Sequence, residues 1–247
     1  MRRIYLTLLL SLLVATIGIP GCSASTECPD SITDNDVLFQ TSMLSTLSEG
    51  DYDGDLTYEE LEKHGDFGLG TFDSLDGEMI ALESEFYQIK VDGIAHPVDG
   101  SMETPFAVVT FFEPDKTVSL DEVSDYEQLK QQLDGILSNR DIFYAIKIEG
   151  IFPYIKARSV PAQSKPYPPL DEALKGERLF EFHGFAGTLV GFWCPAYMEG
   201  INAPGYHFHF ITADRMAGGH LLDCKINSAK AKIDYTSKFY LVLPEGE

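Results

Sequence analysis

The chain has 247 residues, of which 44% are hydrophobic and 12% are aromatic. This composition excludes an intrinsically disordered protein and is typical of a chain that buries a large core. The formal net charge of −21 at pH 7 opposes binding to nucleic acid and to anionic membrane surfaces. An anionic substrate therefore needs local positive charge in its binding site.

The N-terminal residues have the pattern of an export signal. Two arginines precede an apolar run over residues 4–19, and Ile-Pro-Gly follows immediately before Cys22. This pattern predicts a signal peptide of the lipoprotein type over residues 1–21, with a lipid on Cys22. Residues 22–33 are small and polar and predict a tether. We expect an exported protein that contacts membrane only through this lipid, and a secreted protein with an incidental cysteine is the alternative.

Helical periodicity is concentrated in the first 137 residues. Apolar residues at helical spacing predict helices over residues 34–47 and 119–137. Thr57 and Glu60 form a capping-box pattern that opens a short helix ending near residue 65. The sequence therefore predicts three helices, all before the last third of the chain.

The rest of the sequence predicts strands. The candidates are residues 78–82, 86–91, 106–112, 142–148, 154–160, 181–193, 206–212, 220–226 and 232–243. Because helices and strands are segregated along the chain, we predict an α+β fold of mixed or antiparallel sheets with a few helices. We divide it into an N-terminal β-sheet subdomain with helices (34–150) and a mostly β C-terminal subdomain that carries the metal site (151–247).

Residues 49–60 partly match a calcium-binding loop. Glu49, Asp51 and Asp53 stand at ligand positions, Gly54 stands at the turn, and Glu60 is the closing acid. The first position is glutamate where aspartate is usual. We favour the alternative, in which this acidic turn only caps the following helix.

The sequence contains four cysteines, which are too few for a disulfide framework. There is no C-x-x-C pair, and this makes a thiolate zinc site improbable. Export permits one disulfide bond, for which the neighbouring predicted strands favour the pair Cys194 and Cys224.

The stretch Gly-Tyr-His-Phe-His-Phe places His207 and His209 on one face of a strand, with Phe208 and Phe210 on the other. A turn around residues 217–219 brings His220 beside them. Three neutral imidazoles with an open coordination position are typical of a catalytic zinc site. The alternative is a polar strand face in contact with water.

A site made of histidines alone suits two broad chemistries. One is a cupin-like dioxygenase or isomerase that uses iron or manganese, in which a glutamate soon follows the H-x-H pair. That glutamate is missing here, because residues 210–213 contain no acid. The other is polarisation of a carbonyl oxygen by a Lewis-acidic metal. The second chemistry needs a positive side chain to hold an anionic substrate and an acid to manage protons.

Three longer segments resemble the α-acetolactate decarboxylase family: HGDFGLGTFDSLDGEMI (64–80), YAIKIEGIFPYIKARSVPAQSKPYPPL (144–170) and GTLVGFWCPAYMEGINAPGYHFHFITADRMAGGHLLDCKI (187–226). The resemblance implies zinc-dependent conversion of 2-acetolactate, a 2-hydroxy-3-keto acid, into acetoin and carbon dioxide. It also implies a homodimer, two β-sheet subdomains, and the zinc ligands His207, His209 and His220. A non-catalytic, surface-anchored relative that keeps the zinc is the remaining alternative.

The resemblance implies roles for further residues. Zinc that chelates the keto and hydroxyl oxygens can hold the enediolate that remains when the carboxylate leaves. Arg158 is implied to grip that carboxylate, Glu78 to protonate the enediolate and fix the handedness of acetoin, and Thr71 to line the pocket. Relatives continue into a tail with a second active-site glutamate, a role that we assign to neither Glu245 nor Glu247.

Overall fold

The architecture is that of a computed structural model, which describes residues 35–244. The predicted signal peptide (1–21), the lipidated Cys22 and the tether (22–33) lie outside the described residues. Within residues 35–244, no helix has the length and apolar character needed to cross a membrane.

Strands dominate the described residues, and the helices are short. The strands are β1 (Val37–Thr41), β2 (Leu56–Thr57), β3 (Phe67–Thr71), β4 (Glu78–Leu82), β5 (Glu85–Ile89), β6 (Ala95–Pro97), β7 (Glu103–Thr104), β8 (Ala107–Thr110), β9 (Lys116–Val123), β10 (Phe143–Phe152), β11 (Tyr154–Ser159), β12 (Arg178–Phe182), β13 (Phe185–Cys194), β14 (Gly205–Thr212), β15 (Gly218–Thr236) and β16 (Lys238–Val242). The α-helices are α1 (Leu44–Glu49), α2 (Tyr58–Leu61), α3 (Tyr126–Asp134) and α4 (Leu170–Ala173). The predicted α+β class, mostly β toward the C-terminus, is confirmed.

The first sheet has seven strands in the order β16-β1-β8-β3-β4-β5-β6. At one edge β1 runs parallel to β16, with Val37 opposite Lys238. The other neighbours in this sheet are antiparallel. The register of β3 and β4 sets Thr71 opposite Glu78, so two of the predicted site residues share one end of this sheet.

The second sheet has the order β10-β13-β14-β15-β11-β12, and β9 also pairs with β15. The 19-residue strand β15 pairs with β14 and β11 through its first part, and with β10 and β9 through its second part. Because β10 also pairs with β13, strands β10, β13, β14 and β15 close a circuit of strand pairs. The strand that carries His207 and His209 therefore has a neighbour along both of its edges.

The two sheets share an apolar core. Ile80 of the first sheet packs in one buried cluster with Val190 and Ile211 of the second. Another cluster joins the second sheet to α3 and contains Phe208 and Phe210, which are 1% and 0% exposed. The alternation predicted for the H-F-H-F stretch is therefore confirmed for both phenylalanines, and it fixes which way the histidines face.

Two of the helix predictions are wrong over part of their length. The segment 34–47 was expected to be one helix, but it forms β1 before α1, because β1 gains hydrogen-bonded neighbours on both sides, β16 and β8. The segment 119–137 begins as β9, and its helix starts only after Asp125. The Asp125 carboxylate accepts a hydrogen bond from the Gln128 N–H at 2.8 Å, which is N-cap geometry.

Several strand boundaries differ from the predictions, most clearly in the last third of the chain. The segment 181–193 contains two strands, β12 and β13, separated by a turn in which Gly184 has φ +72°. The segment 220–226 and the start of 232–243 belong to the single strand β15.

The subdomain boundary predicted at residue 150 lies inside β10. Strand β9 belongs to the second sheet and β16 to the first, so the sheets do not correspond to two consecutive segments.

The disulfide bond considered between Cys194 and Cys224 is not formed. Both side chains are free, buried thiols. Cys194 belongs to the cluster between the sheets, whereas Cys224 belongs to the cluster under α3. Since the two cysteines lie in different core layers, their sulfur atoms do not meet.

The acidic loop at residues 49–60 is a capping turn. The Glu60 N–H donates to the Thr57 hydroxyl at 3.3 Å, and the Asp53 carboxylate accepts hydrogen bonds from Lys165 and Tyr167. Among residues 35–244, these acids do not gather into a metal-ligating cluster. The structure therefore agrees with the helix-capping alternative.

Candidate metal centre and active site

Three histidines converge at the junction of β14 and β15. The antiparallel register sets His209 directly opposite His220, and His207 lies two residues earlier on the same face of β14. The ring centroids lie 4.8 to 5.1 Å apart, and one nitrogen from each ring lies within 4.8 Å of the other two. Three ring nitrogens this close together could bind a single metal ion.

His209 is oriented by a contact across the sheets. Its Nδ1 lies 2.8 Å from the carbonyl oxygen of Met79 on β4, so Nδ1 carries the proton and donates it. Its Nε2 therefore has no proton and carries a lone pair. This atom is buried without a hydrogen-bond partner among residues 35–244. A carbonyl that fixes the tautomer of a histidine is a common feature of metal sites. The unpartnered Nε2 is therefore an observation that fits a bound metal.

All three imidazoles are neutral at physiological pH. Burial lowers the pKa of His207 to about 4, and the nearby charge of Arg158 acts in the same direction. Burial and the neighbouring histidines hold the pKa values of His209 and His220 well below the usual range. Neutral imidazole is the form that coordinates metals, so ligation does not compete with a bound proton.

Glu78 begins β4 and faces the same space. The residue is 8% exposed, and its Oε2 lies 3.5 Å from His209 Nε2. Because His209 is neutral, this approach is not an ion pair. Burial raises the pKa of Glu78 to about 7; Arg158 opposes the rise and Glu177 adds to it. A carboxyl with a pKa near neutrality is suited to both give and take a proton.

Arg158 lies on β11, directly opposite His220 on β15. This approach depends on Gly219, which has φ +151°, and a Cβ there would lie 2.6 Å from the carbonyl oxygen of Arg158. The guanidinium Nη1 donates to the Glu177 carboxylate at 3.0 Å. Its Nε is buried and has no partner among the described residues. Arg158 therefore brings a positively charged side chain to the histidines, with its Nη1 paired to Glu177.

Thr71 ends β3 beside Glu78. Its hydroxyl donates to the carbonyl oxygen of Gly77 at 2.7 Å, and the side chain is buried. This hydrogen bond ties the end of β3 to the residue before Glu78. Thr71 therefore helps to hold the start of β4 in place.

All six predicted site residues line one cavity of about 330 Å³. Most of the other lining side chains are apolar or aromatic: Leu44, Leu47, Leu75, Phe106, Tyr126, Val160, Leu170, Leu174, Ala203, Tyr206, Phe208 and Leu221. A small apolar chamber with a few convergent polar groups is the usual form of a small-molecule site.

A profile of the alpha-acetolactate decarboxylase family matches residues 38–247. The chain belongs to the alpha-acetolactate decarboxylase family. The resemblance stated from the sequence is thereby confirmed.

Individual members of the family are similar over most of the chain. The alpha-acetolactate decarboxylase of Methanosarcina mazei is 51% identical over 210 residues, which cover 85% of this chain and 73% of the relative. That of Methylococcus capsulatus is 48% identical over 84% of this chain and 80% of its own. The crystal structure of the Bacillus subtilis alpha-acetolactate decarboxylase superposes with a TM-score of 0.83 at 41% identity, over 85% of this chain and 90% of that one.

Sequence reasoning missed the apolar wall that this decarboxylase-family chain places around the polar groups. Leu44 and Leu47 lie in the segment 34–47, whose apolar residues were used only to predict a helix, and both line the cavity. Tyr206, which directly precedes the first histidine, also lines the cavity. An apolar residue that lines a cavity has the same pattern in a sequence as one in the core, so no local signal separates the two. Glu177, the partner of Arg158, was also missed because it follows a turn without a motif.

Proposed function

We propose that the chain converts 2-acetolactate into acetoin and carbon dioxide in a zinc-dependent reaction. The observation that carries this proposal is the cavity in which three neutral histidines converge beside Glu78 and Arg158. Membership of the alpha-acetolactate decarboxylase family supports the reaction, and the histidine set supports the metal. The family match favours this reaction over a cupin-like oxygenase or isomerase.

His207, His209 and His220 would hold the zinc ion. A ligand set of imidazoles alone suits zinc among the metals that proteins commonly bind. When bound, zinc supplies a Lewis acid that polarises the keto and hydroxyl oxygens of the substrate and stabilises the negative charge left by the departing carbon dioxide.

The other residues bind and orient the substrate. Arg158 holds the carboxylate, because a planar guanidinium can grip it through two parallel hydrogen bonds. Leu170, Leu174 and Val160 line the cavity and keep water from the reacting carbon, which favours loss of neutral carbon dioxide. As the bond to the carboxylate breaks, its electron pair stays on the substrate. Glu78 then delivers one proton to the carbon that lost the carboxylate, which yields acetoin.

The test measures acetoin and carbon dioxide released from racemic 2-acetolactate by the purified protein. We expect turnover in the zinc-loaded protein, loss of turnover after chelation, and recovery when zinc is added back. Recovery with iron or manganese but not zinc would contradict the assignment of the metal. Full zinc content without any release of acetoin would instead identify a non-catalytic relative.

A matched pair of variants separates the metal site from other histidines. His209→Ala is expected to lose zinc and activity together. The control is His183→Ala, which removes a histidine whose side chain is 67% exposed and is expected to retain both. Equal zinc content in the two variants would refute the proposed ligand set.

We also propose that the chain is exported with a lipid on Cys22 and that it forms a homodimer. The N-terminal sequence pattern supports export, and the family resemblance supports the dimer. Mass spectrometry of the protein from its native cells should find a chain that begins at an acylated cysteine, and light scattering should give twice the monomer mass. An unprocessed N-terminus would contradict the first proposal, and a monomer at micromolar concentration would contradict the second.

A further inference from the structure

Glu177 contacts the carboxylate-binding arginine without lining the cavity. Its Oε2 accepts the Arg158 Nη1–H at 3.0 Å, and the two side chains are 29% and 20% exposed. We infer that Glu177 is a positioning residue that orients the Arg158 guanidinium for the substrate carboxylate. This inference rests on the proposed function of the site, because it takes Arg158 as the group that binds the carboxylate.

The backbone fixes Glu177 independently of Arg158. Leu174–Gly176 forms a 3₁₀ turn, and the Glu177 N–H donates to the Leu174 carbonyl oxygen at 3.0 Å. Strand β12 follows at once and pairs with β11, with Leu179 opposite Arg158. Glu177 is thus held between a closed turn and a strand that is paired to the strand of Arg158. A carboxylate placed in this way is a fixed anchor for a long, flexible side chain.

The contact leaves one edge of the guanidinium for a ligand. Glu177 engages Nη1, whereas Nε is buried and has no partner among residues 35–244. Nε and the second Nη project from one edge of the planar group, and this edge can donate two parallel hydrogen bonds to a carboxylate. A single arginine can therefore bind Glu177 through Nη1 and the substrate through Nε. Anchoring Nη1 lowers the conformational entropy that Arg158 would otherwise lose when the substrate binds.

The same segment also shapes the chamber. Leu170 and Leu174 line the cavity, and they lie just before Glu177 in the chain. A matched control exists within this segment. Glu172 forms an exposed ion pair with Lys175, so Glu172→Gln removes a negative charge nearby without touching Arg158.

The experiment measures ligand binding to the zinc-loaded protein by calorimetry. One ligand is 2-hydroxyisobutyrate, a 2-hydroxy acid that lacks the keto group and cannot be decarboxylated. The other is acetoin, which is neutral and has no carboxylate. The proteins are the wild type, Glu177→Ala, Glu177→Gln and Glu172→Gln, with zinc content and thermal unfolding recorded for each.

We expect Glu177→Ala to weaken the binding of 2-hydroxyisobutyrate at least about fivefold and to change acetoin binding less than about twofold. Glu177→Gln keeps an oxygen acceptor at the same place and should lose less. Glu172→Gln should match the wild type. If Glu177→Ala does not fold, a selective loss of carboxylate binding in the near-isosteric Glu177→Gln still supports the inference, and wild-type binding in that variant overturns it.

Three results with the Glu177 variants would overturn the inference. Wild-type binding in both Glu177 variants would show that Arg158 needs no anchor. Equal weakening of both ligands would indicate general disruption of the pocket. Tighter carboxylate binding would mean that Glu177 only neutralises charge. A wild-type protein that binds 2-hydroxyisobutyrate but makes no acetoin would refute the proposed reaction alone, whereas a protein that makes acetoin but does not bind the acid would refute the inference alone.

Discussion

Replacing Glu78 with glutamine separates its effect on stability from its effect on catalysis. Glutamine has nearly the same shape as glutamate but carries no charge at any pH. The wild-type carboxyl is buried, with its Oε2 3.5 Å from His209 Nε2. In the metal-free protein, the charge of an ionised Glu78 therefore lowers the free energy of unfolding, whereas the neutral glutamine does not.

The magnitude follows from the pKa of Glu78, which burial raises from 4.5 to about 7. Because the folded-state pKa lies above the unfolded value, the contribution of Glu78 to stability is fully present below pH 4.5 and is lost as the pH rises through about 7. Each pKa unit corresponds to about 1.4 kcal/mol, so the loss amounts to about 3 kcal/mol by pH 8. Metal-free Glu78→Gln should then be more stable than the wild type at pH 8 by a similar amount.

The assay compares urea unfolding of the two proteins with a chelator present, at pH 5 and at pH 8. The histidines are the same in both proteins, so the difference between the two stabilities isolates Glu78. In zinc-loaded protein, Glu78→Gln should retain its zinc but form acetoin at least about a hundredfold more slowly, the usual contribution of a general acid. The same difference in unfolding free energy between the two proteins at pH 5 and at pH 8 would refute the electrostatic reasoning. Acetoin of one pure enantiomer, formed by Glu78→Gln at the wild-type rate, would refute the catalytic role.

Three further predictions concern Arg158, His207 and Gly191. Arg158→Lys should keep its zinc but lose activity at least about tenfold, because an ammonium group cannot donate the two parallel hydrogen bonds of a planar guanidinium. Near-normal turnover would show that Arg158 does not bind the substrate carboxylate. His207→Ala should reduce bound zinc from about one ion per chain to near zero, measured by elemental analysis, and full occupancy would exclude His207 as a ligand. Gly191→Ala should destabilise the fold by about 2 kcal/mol, because the new Cβ would lie 2.2 Å from the His207 carbonyl oxygen; an unchanged unfolding midpoint would contradict this.

The half of the site on β14 and β15 could be predicted from local pattern. Alternation of histidine and phenylalanine fixes which side chains face together. The turn that returns His220 was predicted around residues 217–219 but lies at residues 213–216, and Gly218 and Gly219 already belong to β15. The other half depends on tertiary contacts. Glu78 meets His209 only because the two sheets pack together, and Arg158 meets His220 only through the register of β11 against β15. Those positions were reached through the family resemblance, because no local spacing encodes them.

Strands β3 and β1 were not predicted from the sequence, and both omissions have physical reasons. Strand β3 reads Phe-Gly-Leu-Gly-Thr, and glycine has a low preference for strands. Gly68 is nevertheless needed, because a Cβ there would lie 2.2 Å from the Val108 carbonyl oxygen of β8. Strand β1 has apolar residues that fit either a helix or a strand, and its partner β16 lies at the far end of the chain. A short segment whose partner is so remote carries no local signal of the pairing.

The parallel pairing of β1 with β16 means that the first sheet is completed only when the last strand is available. The ribosome releases the N-terminal part first, so one edge of β1 stays unpaired until β16 is made. During this time Leu38 and Phe39, which are buried in the folded protein, lie on a strand that lacks one neighbour. An unpaired apolar edge is a site where chains associate wrongly. A chain that is shortened before Lys238 should therefore aggregate during synthesis, although it still contains all three histidines.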